Sequence, residues 1–177
     1  MHVLAISGSL RTGSSNTALL LAAAALAPAG ITVTLSDSLA NLPYFMPGGY
    51  DEAAPPTVAT FREQLRAATA VLICTPEYVF SMPGVLKNAL EWLVASGELY
   101  RKPVAVWSAS PSASGGSDAH ASVVRMLTVM EAGLVEEAAL QIAQVSAKVS
   151  KQGEVTDVAL REQIQKAIVA LAAQIVV

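Results

Sequence analysis

The chain has little of what disulfides and metal centres are built from. Among its 177 residues are one cysteine, Cys74, and two histidines. A lone cysteine excludes an intramolecular disulfide, and no His/Cys/Asp cluster has the spacing of metal ligands, so no metal site is expected. Because Cys74 lies within an apolar segment, we expect a buried, inert thiol rather than a nucleophile.

Charge and long hydrophobic runs are also scarce. Charged residues make up 14% of the chain, with 11 basic and 14 acidic side chains and a net charge of −3. Lys and Arg are not clustered, so a nucleic-acid partner is not expected. The longest apolar run, 18–27, ends at Pro28 and is too short to span a bilayer. Since no basic leader precedes the first apolar run, we expect a soluble, cytoplasmic protein with no membrane partner.

What the chain does have is apolar content, at 53% of its residues. High hydrophobicity with little charge is typical of a parallel sheet covered on both faces. Short apolar runs alternate with helical patterns, which predicts a doubly wound α/β fold in a single domain, 1–177. The predicted strands are 2–7, 31–36, 70–75, 102–110 and a weaker 140–143; the predicted helices are 16–30, 57–68, 83–97, about 118–132 and from about 156.

Three loops follow predicted strands, at 7–16, 75–82 and 108–118. In doubly wound sheets, ligands bind beyond the carboxyl ends of the strands, so these loops are the candidate site. The first, "SGSLRTGSSN", has neither GxGxxG nor GKS/T but offers hydroxyl and amide donors around Arg11 at the start of a helix. This combination favours a single terminal phosphate. Helix capping by Ser14, Ser15 or Asn16 is the simpler alternative.

The second loop contains "TPEYVFSMPG". Pro76 and Pro83 predict a stiff arch that presents backbone groups to a flat ring. Glu77 is either a group facing the ligand or a solvated or helix-capping carboxylate, and the aromatic side chains beside it either contact the ligand or pack the loop.

Together, "GSLRTGSSN" and "PEYVFSMPGVLKNALEW" resemble the NADPH-dependent FMN reductase family, which includes bacterial quinone and chromate reductases. The resemblance implies a flavodoxin-like, five-stranded parallel sheet in the order 2-1-3-4-5, with helices on both faces. It implies noncovalent FMN, NADPH or NADH as co-substrate, and assembly into homodimers or homotetramers. The implied activity passes hydride from NAD(P)H through FMN to a quinone, a flavin or another small-molecule electron acceptor, with the chemistry at flavin N5 and no catalytic side chain.

The resemblance also implies cofactor-binding positions. Those at the phosphate are Ser9, Arg11, Ser14 and Asn16, with the hydroxyls of Ser15 and Thr17 as further donors; those along the isoalloxazine edge are Pro76, Glu77, Tyr78 and Val79; those in the third loop are Ser108, Ser110 and Gly115. Three positions depart from the family pattern. Val79 stands where the family usually has Asn, and Asp118 and His120 stand where Arg and Gln are usual.

Two other functions stay open. A flavodoxin-type electron carrier is disfavoured by the mild net charge and would show no NAD(P)H turnover. A flavin-free scaffold or regulatory protein would lack a flavin absorption spectrum. For the assembly, we expect 83–97 at or near a subunit interface, and a partner's segment 43–56, with Tyr44, Phe45 and Tyr50, over the FMN.

Overall fold

A parallel β-sheet organises the part of the chain that the computed structural model describes, residues 1–46, 54–150, 152 and 154–174. Its strands are β1 (His2–Ser7), β2 (Thr32–Leu35), β3 (Ala70–Thr75), β4 (Pro103–Ala109), β5 (Gly133–Leu134) and β6 (Leu140–Ile142). The order is β2-β1-β3-β4-β5, with every pair parallel and β6 also paired with β4. The predicted order 2-1-3-4-5 is therefore confirmed.

The fifth position of the sheet is shared by two short strands. β5 pairs with Pro103 and Val104, whereas β6 pairs with β4 further along, from Trp107 to Ala109. The predicted strand 140–143 is present as β6. β5 was not predicted, because two residues are too few to show a periodicity; its place is fixed by tertiary contacts such as the hydrogen bond from Val135 N–H to the Val104 carbonyl, 2.9 Å.

Helices cover both faces of the sheet. They are α1 (Ser15–Leu26), α2 (Pro56–Ala67), α3 (Gly84–Glu91), α4 (Ser117–Val129), α5 (Val145–Lys148) and α6 (Val158–Ala173). α1 and α6 pack on one face with Leu72 and Cys74, while α2, α3 and α4 pack on the other with Val71 and Ile73. β3 is buried along its whole length, which explains its continuous apolar sequence. Within the described residues, no helix is long and apolar enough to cross a membrane.

The helix expected at 83–97 is shorter than its sequence pattern. α3 ends at Glu91, and the chain continues in turns such as the one closed by Val94 N–H and the Glu91 carbonyl, 3.3 Å. The guanidinium of Arg62 donates to the Trp92 carbonyl at 2.7 Å, so this carbonyl has a partner although the helix does not continue. Leu93 is nevertheless fully buried, so the apolar stripe extends beyond the helix.

Candidate active site

The three predicted loops meet in one cleft of about 330 Å³ at the carboxyl edge of the sheet. Nine of the thirteen predicted residues line it, so the first and second motifs meet in one cleft. The lining consists of Ser9, Arg11, Ser14, Ser15 and Asn16 from the first loop and the start of α1; Pro76, Glu77 and Tyr78 from the second loop; Ala109, Ser110 and Pro111 at the end of β4; and Val145 and Ser146 of α5.

The first loop wraps the amino end of α1. Ser14 is the N-cap, and its Oγ accepts from Asn16 N–H at 3.2 Å, so the capping role is confirmed for this residue. The N–H groups of Ser15 and Thr17 have no acceptor among the described residues. They lie at the positive end of the helix dipole, where an anion is stabilised.

Arg11 adds a cation to this end of the cleft. Its side chain is exposed and makes no ion pair within the described residues. Its backbone N–H donates to the Ser9 hydroxyl at 3.3 Å, which holds the loop closed. A free guanidinium beside unpaired helix N–H groups is the donor set that a terminal phosphate requires.

A residue of β3 orients the Asn16 side chain. The Cys74 thiol donates to Asn16 Oδ1 at 3.2 Å, and both residues are buried. Because the amide oxygen is taken by this contact, the amide nitrogen remains to serve the cleft. The expected burial of the Cys74 thiol is confirmed, and this burial raises its pKa far above the usual range, which disfavours the reactive thiolate.

The second loop forms the predicted arch. Tyr78 and Ser81 pair as a short antiparallel bridge, with N–H to carbonyl distances of 3.0 and 3.1 Å. The two residues between them, Val79 and Phe80, have φ angles of 52° and 58°. This is the geometry of a type I′ turn. Val79 forms its exposed tip, with 94% of its surface accessible, and is not part of the cleft lining.

Glu77 both lines the cleft and caps a helix. Its Oε2 accepts from the N–H groups of Asp118 and Ala119, at 2.9 and 3.1 Å, in the first turn of α4. The capping interpretation therefore holds for the carboxylate, while the residue itself belongs to the wall of the cleft.

The third loop is shaped by residues that lie behind the lining. Ser108 is fully buried and donates to the Gly115 carbonyl at 2.8 Å. Gly115 has φ 63° and packs so closely on the chain after β6 that a Cβ would lie 3.1 Å from Ala143 N. Only Ser110 of the predicted residues in this loop reaches the cleft, and its hydroxyl shares a hydrogen bond with Ser112 at 2.9 Å.

Four of the predicted residues do not line the cleft: Thr17, Val79, Ser108 and Gly115. Four lining residues were not predicted: Ala109, Pro111, Val145 and Ser146. Val145 and Ser146 follow the carboxyl end of β6, so the same rule that selected the other loops would have selected this one.

The histidines lie away from the cleft lining. His120 Nε2–H donates to the Val106 carbonyl at 3.2 Å, and partial burial lowers the pKa of its ring. His2 bonds to Thr34 Oγ1 at 2.6 Å near the amino end of the sheet. Among the residues the structure describes, no three His, Cys, Asp or Glu side chains are grouped as metal ligands.

The aromatic segment after β2 is anchored on the region around α3. Trp92 Nε1–H donates to the Pro43 carbonyl at 2.8 Å, and the Phe45 ring meets the Trp92 ring edge-on, with 5.4 Å between centroids. Tyr44 projects outward and is 89% exposed. Tyr50, which was also expected to cover a ligand, lies outside the described residues.

Strand order and cleft together define a flavodoxin-like α/β protein with a cleft at the carboxyl edge of its sheet, lined in part by a hydroxyl-rich loop with one arginine. The chain belongs to the NADPH-dependent FMN reductase family, whose model matches residues 1–147.

Named relatives agree with this assignment. The chain is 38% identical to an NAD(P)H-dependent FMN reductase of Pseudomonas aeruginosa, over 97% of this chain and 93% of the relative. It is 34% identical to a quinone reductase of Escherichia coli, over 89% of this chain and 86% of the relative. Its structure resembles that of FerB, a flavoenzyme NAD(P)H:(acceptor) oxidoreductase from Paracoccus denitrificans, with a TM-score of 0.87, 28% identity, and coverage of 98% of this chain and 96% of FerB.

Proposed function

We propose that this protein is an FMN-dependent NAD(P)H oxidoreductase that reduces a quinone or another small acceptor. The observation that carries the proposal is one cleft lined both by an arginine and a helix start with unpaired N–H groups and by residues of the arch. The end of the cleft that carries Arg11 and the α1 N–H groups suits the phosphate of FMN, and the arch suits the edge of its flat ring. The relatives' names support the same cofactor and acceptor class.

Roles follow from position in the cleft. Ser9, Ser14, Ser15 and Asn16 would hold the phosphate together with Arg11. Pro76, Glu77 and Tyr78 would lie along the ring, Val79 lies outside the lining, and Ser110 would close the third side. Thr17, Ser108 and Gly115 would act behind this layer, because Thr17 shares a hydrogen bond with Ser7 at 2.9 Å and the other two bond to each other.

Bound FMN would supply the hydride-accepting and electron-donating chemistry. The protein's contribution would be position and electrostatics: the α1 end with Arg11 would hold the phosphate, and the arch residues that line the cleft would position the ring. The assembly we propose is a homodimer or homotetramer of single-domain subunits, with residues near Val94 at or close to the interface. Val94 is 57% exposed and is the basis of that placement.

The test is a comparison of FMN with riboflavin, which lacks the phosphate. Hydrogen bonds to charged groups contribute about 1.5–3 kcal/mol each. Arg11→Ala should therefore weaken FMN binding by roughly one to two decades and leave riboflavin binding unchanged. Lys166→Ala, which removes an exposed charge on α6, serves as the matched control and should change neither affinity. Equal affinity of the unmodified protein for FMN and riboflavin would contradict the phosphate assignment.

A further inference from the structure

One carboxylate joins the second loop to the start of α4. Glu77 belongs to the second loop. The two N–H groups that donate to it are in the first turn of α4, where the third loop ends. The two loops also approach closely here, since a Cβ at Gly116 would lie 3.6 Å from the Glu77 Cβ. Gly116 has φ 79°, a conformation that turns the chain from the third loop into α4.

A second contact fastens the other end of the arch. The hydroxyls of Ser81 and Ser122 share a hydrogen bond of 3.3 Å. Ser122 lies on α4, little more than one turn after Asp118. Both feet of the arch, Glu77 and Ser81, are therefore attached to the first turns of one helix.

The turn between these feet is one that needs support. Val79 and Phe80 both have positive φ, which is unfavourable for side chains of their size, and Val79 is β-branched. Such conformations persist where the surrounding structure over-determines them. The attachments at Glu77 and Ser81 supply that constraint.

We propose that Glu77 is a positioning residue that fastens the arch to α4, so that the second and third loops keep one geometry toward the bound flavin. This inference rests on the proposed function for its consequence but not for the fastening itself. Both N–H groups meet a single oxygen, and an amide oxygen can also accept two hydrogen bonds. Glu77→Gln should therefore preserve the attachment, and Glu77→Ala should remove it.

The matched control is a helix cap that neither the second nor the third loop supplies. Asp157 caps α6 and accepts from Leu160 N–H at 2.7 Å. Loss of either carboxylate should lower stability, because removing a side chain that accepts from the free N–H groups of a helix start typically costs about one decade in the folding equilibrium. Only loss of the Glu77 carboxylate should alter the loops that line the cleft.

The experiment measures amide hydrogen exchange in FMN-free protein and FMN affinity in the same variants. Glu77→Ala should accelerate exchange in both 76–82 and 108–119 and raise the Kd for FMN roughly tenfold. Glu77→Gln should remain within about threefold of the unmodified protein in Kd. Asp157→Ala should change neither the exchange of these loops nor the Kd.

Three results would overturn the fastening: unchanged exchange in Glu77→Ala, equal acceleration of these loops in Asp157→Ala, or a Glu77→Gln variant as mobile as Glu77→Ala. Because exchange is followed without FMN, it tests the fastening even if the unmodified protein binds no FMN. That last result would overturn the proposed function instead.

Discussion

Val79 occupies a left-handed conformation at the exposed tip of the arch. A left-handed backbone costs an ordinary L residue about 1–2 kcal/mol, whereas Asn tolerates it because its short polar side chain can bond locally. Val79→Asn should therefore raise the free energy of unfolding by about 1 kcal/mol. Denaturant unfolding of the two proteins measures the difference.

Val129→Asn is the comparison for that substitution. Val129 is 77% exposed at the end of α4, and Val and Asn have similar helix propensities, so this change should be nearly neutral. Equal effects at Val79 and Val129 would show that the turn stores no strain at Val79.

Side-chain direction decided which predicted residues line the cleft. Ser14 and Asn16 could be placed there because residues at a helix start face the preceding loop. Thr17 is one residue further, and its hydroxyl bonds to Ser7. The Ser108 side chain points into the third loop, where its hydroxyl donates to the Gly115 carbonyl. Tertiary packing sets these hydrogen-bond partners, and the spacing of residues in the sequence does not predict them.

At the scale of elements, the third loop depends on close packing against the chain after β6. Gly115→Ala would place a Cβ 3.1 Å from Ala143 N, in a backbone with φ 63°. Gly97 has a similar φ of 73° but no atom within 4 Å of its Cβ position. Gly97→Ala should therefore lower the free energy of unfolding only by the cost of a left-handed backbone, about 1–2 kcal/mol. Gly115→Ala should lower it by roughly 1–3 kcal/mol more, because its Cβ also clashes.

The two alanine variants should also differ in ligand binding. Only Gly115→Ala displaces the loop that carries Ser110, so only this variant should weaken FMN binding. Titration of both with FMN checks the expectation; equal stability and equal affinity in the two variants would contradict the packing argument.

His120 connects α4 to β4 through its hydrogen bond to the Val106 carbonyl. Val106 lies between the β4 residues that pair with β5 and those that pair with β6. Burial lowers the pKa of its ring, so the folded state favours the neutral form. The unfolded chain binds this proton at about pH 6.5, whereas the folded protein binds it only at lower pH. The free energy of unfolding should therefore fall as the pH decreases through and below about 6.5. His120→Gln can keep a donor for the Val106 carbonyl but does not titrate.

The measurement is the free energy of unfolding at neutral and mildly acidic pH in both proteins. Other titrating groups contribute equally to each, so the loss on acidification should be smaller in His120→Gln. An equal loss in the two proteins would show that His120 does not set this part of the pH dependence.

Element boundaries were predictable where local chemistry decides them. β3 begins and ends where its apolar run does, at Ala70 and Thr75. The end of α3 was not predictable, because the apolar stripe continues to Leu93 while Arg62, thirty residues earlier, takes the Trp92 carbonyl. A two-residue strand such as β5 likewise depends on its neighbour rather than on its own sequence.

For the whole molecule, an apolar content of 53% with only 14% charged residues is high for a small single domain and favours assembly. We expect a homo-oligomer in light scattering of the FMN-bound protein at micromolar concentration. Val94→Glu should shift it toward smaller species, because an interface cannot bury an unpaired carboxylate cheaply. Val158→Glu, at a 70% exposed position on α6, should not. A monomer in the unmodified protein would contradict the proposed assembly.

Anaerobic reduction of the reconstituted protein tests the central claim most directly. Protein loaded with FMN and freed of excess flavin is mixed with NADPH or NADH, and the visible absorbance of oxidised flavin is followed before and after addition of a benzoquinone. We predict that at least one nucleotide bleaches the absorbance, that quinone restores it, and that repeated additions consume nucleotide and quinone in equal amounts. Bound FMN that stays oxidised with both nucleotides would contradict the account.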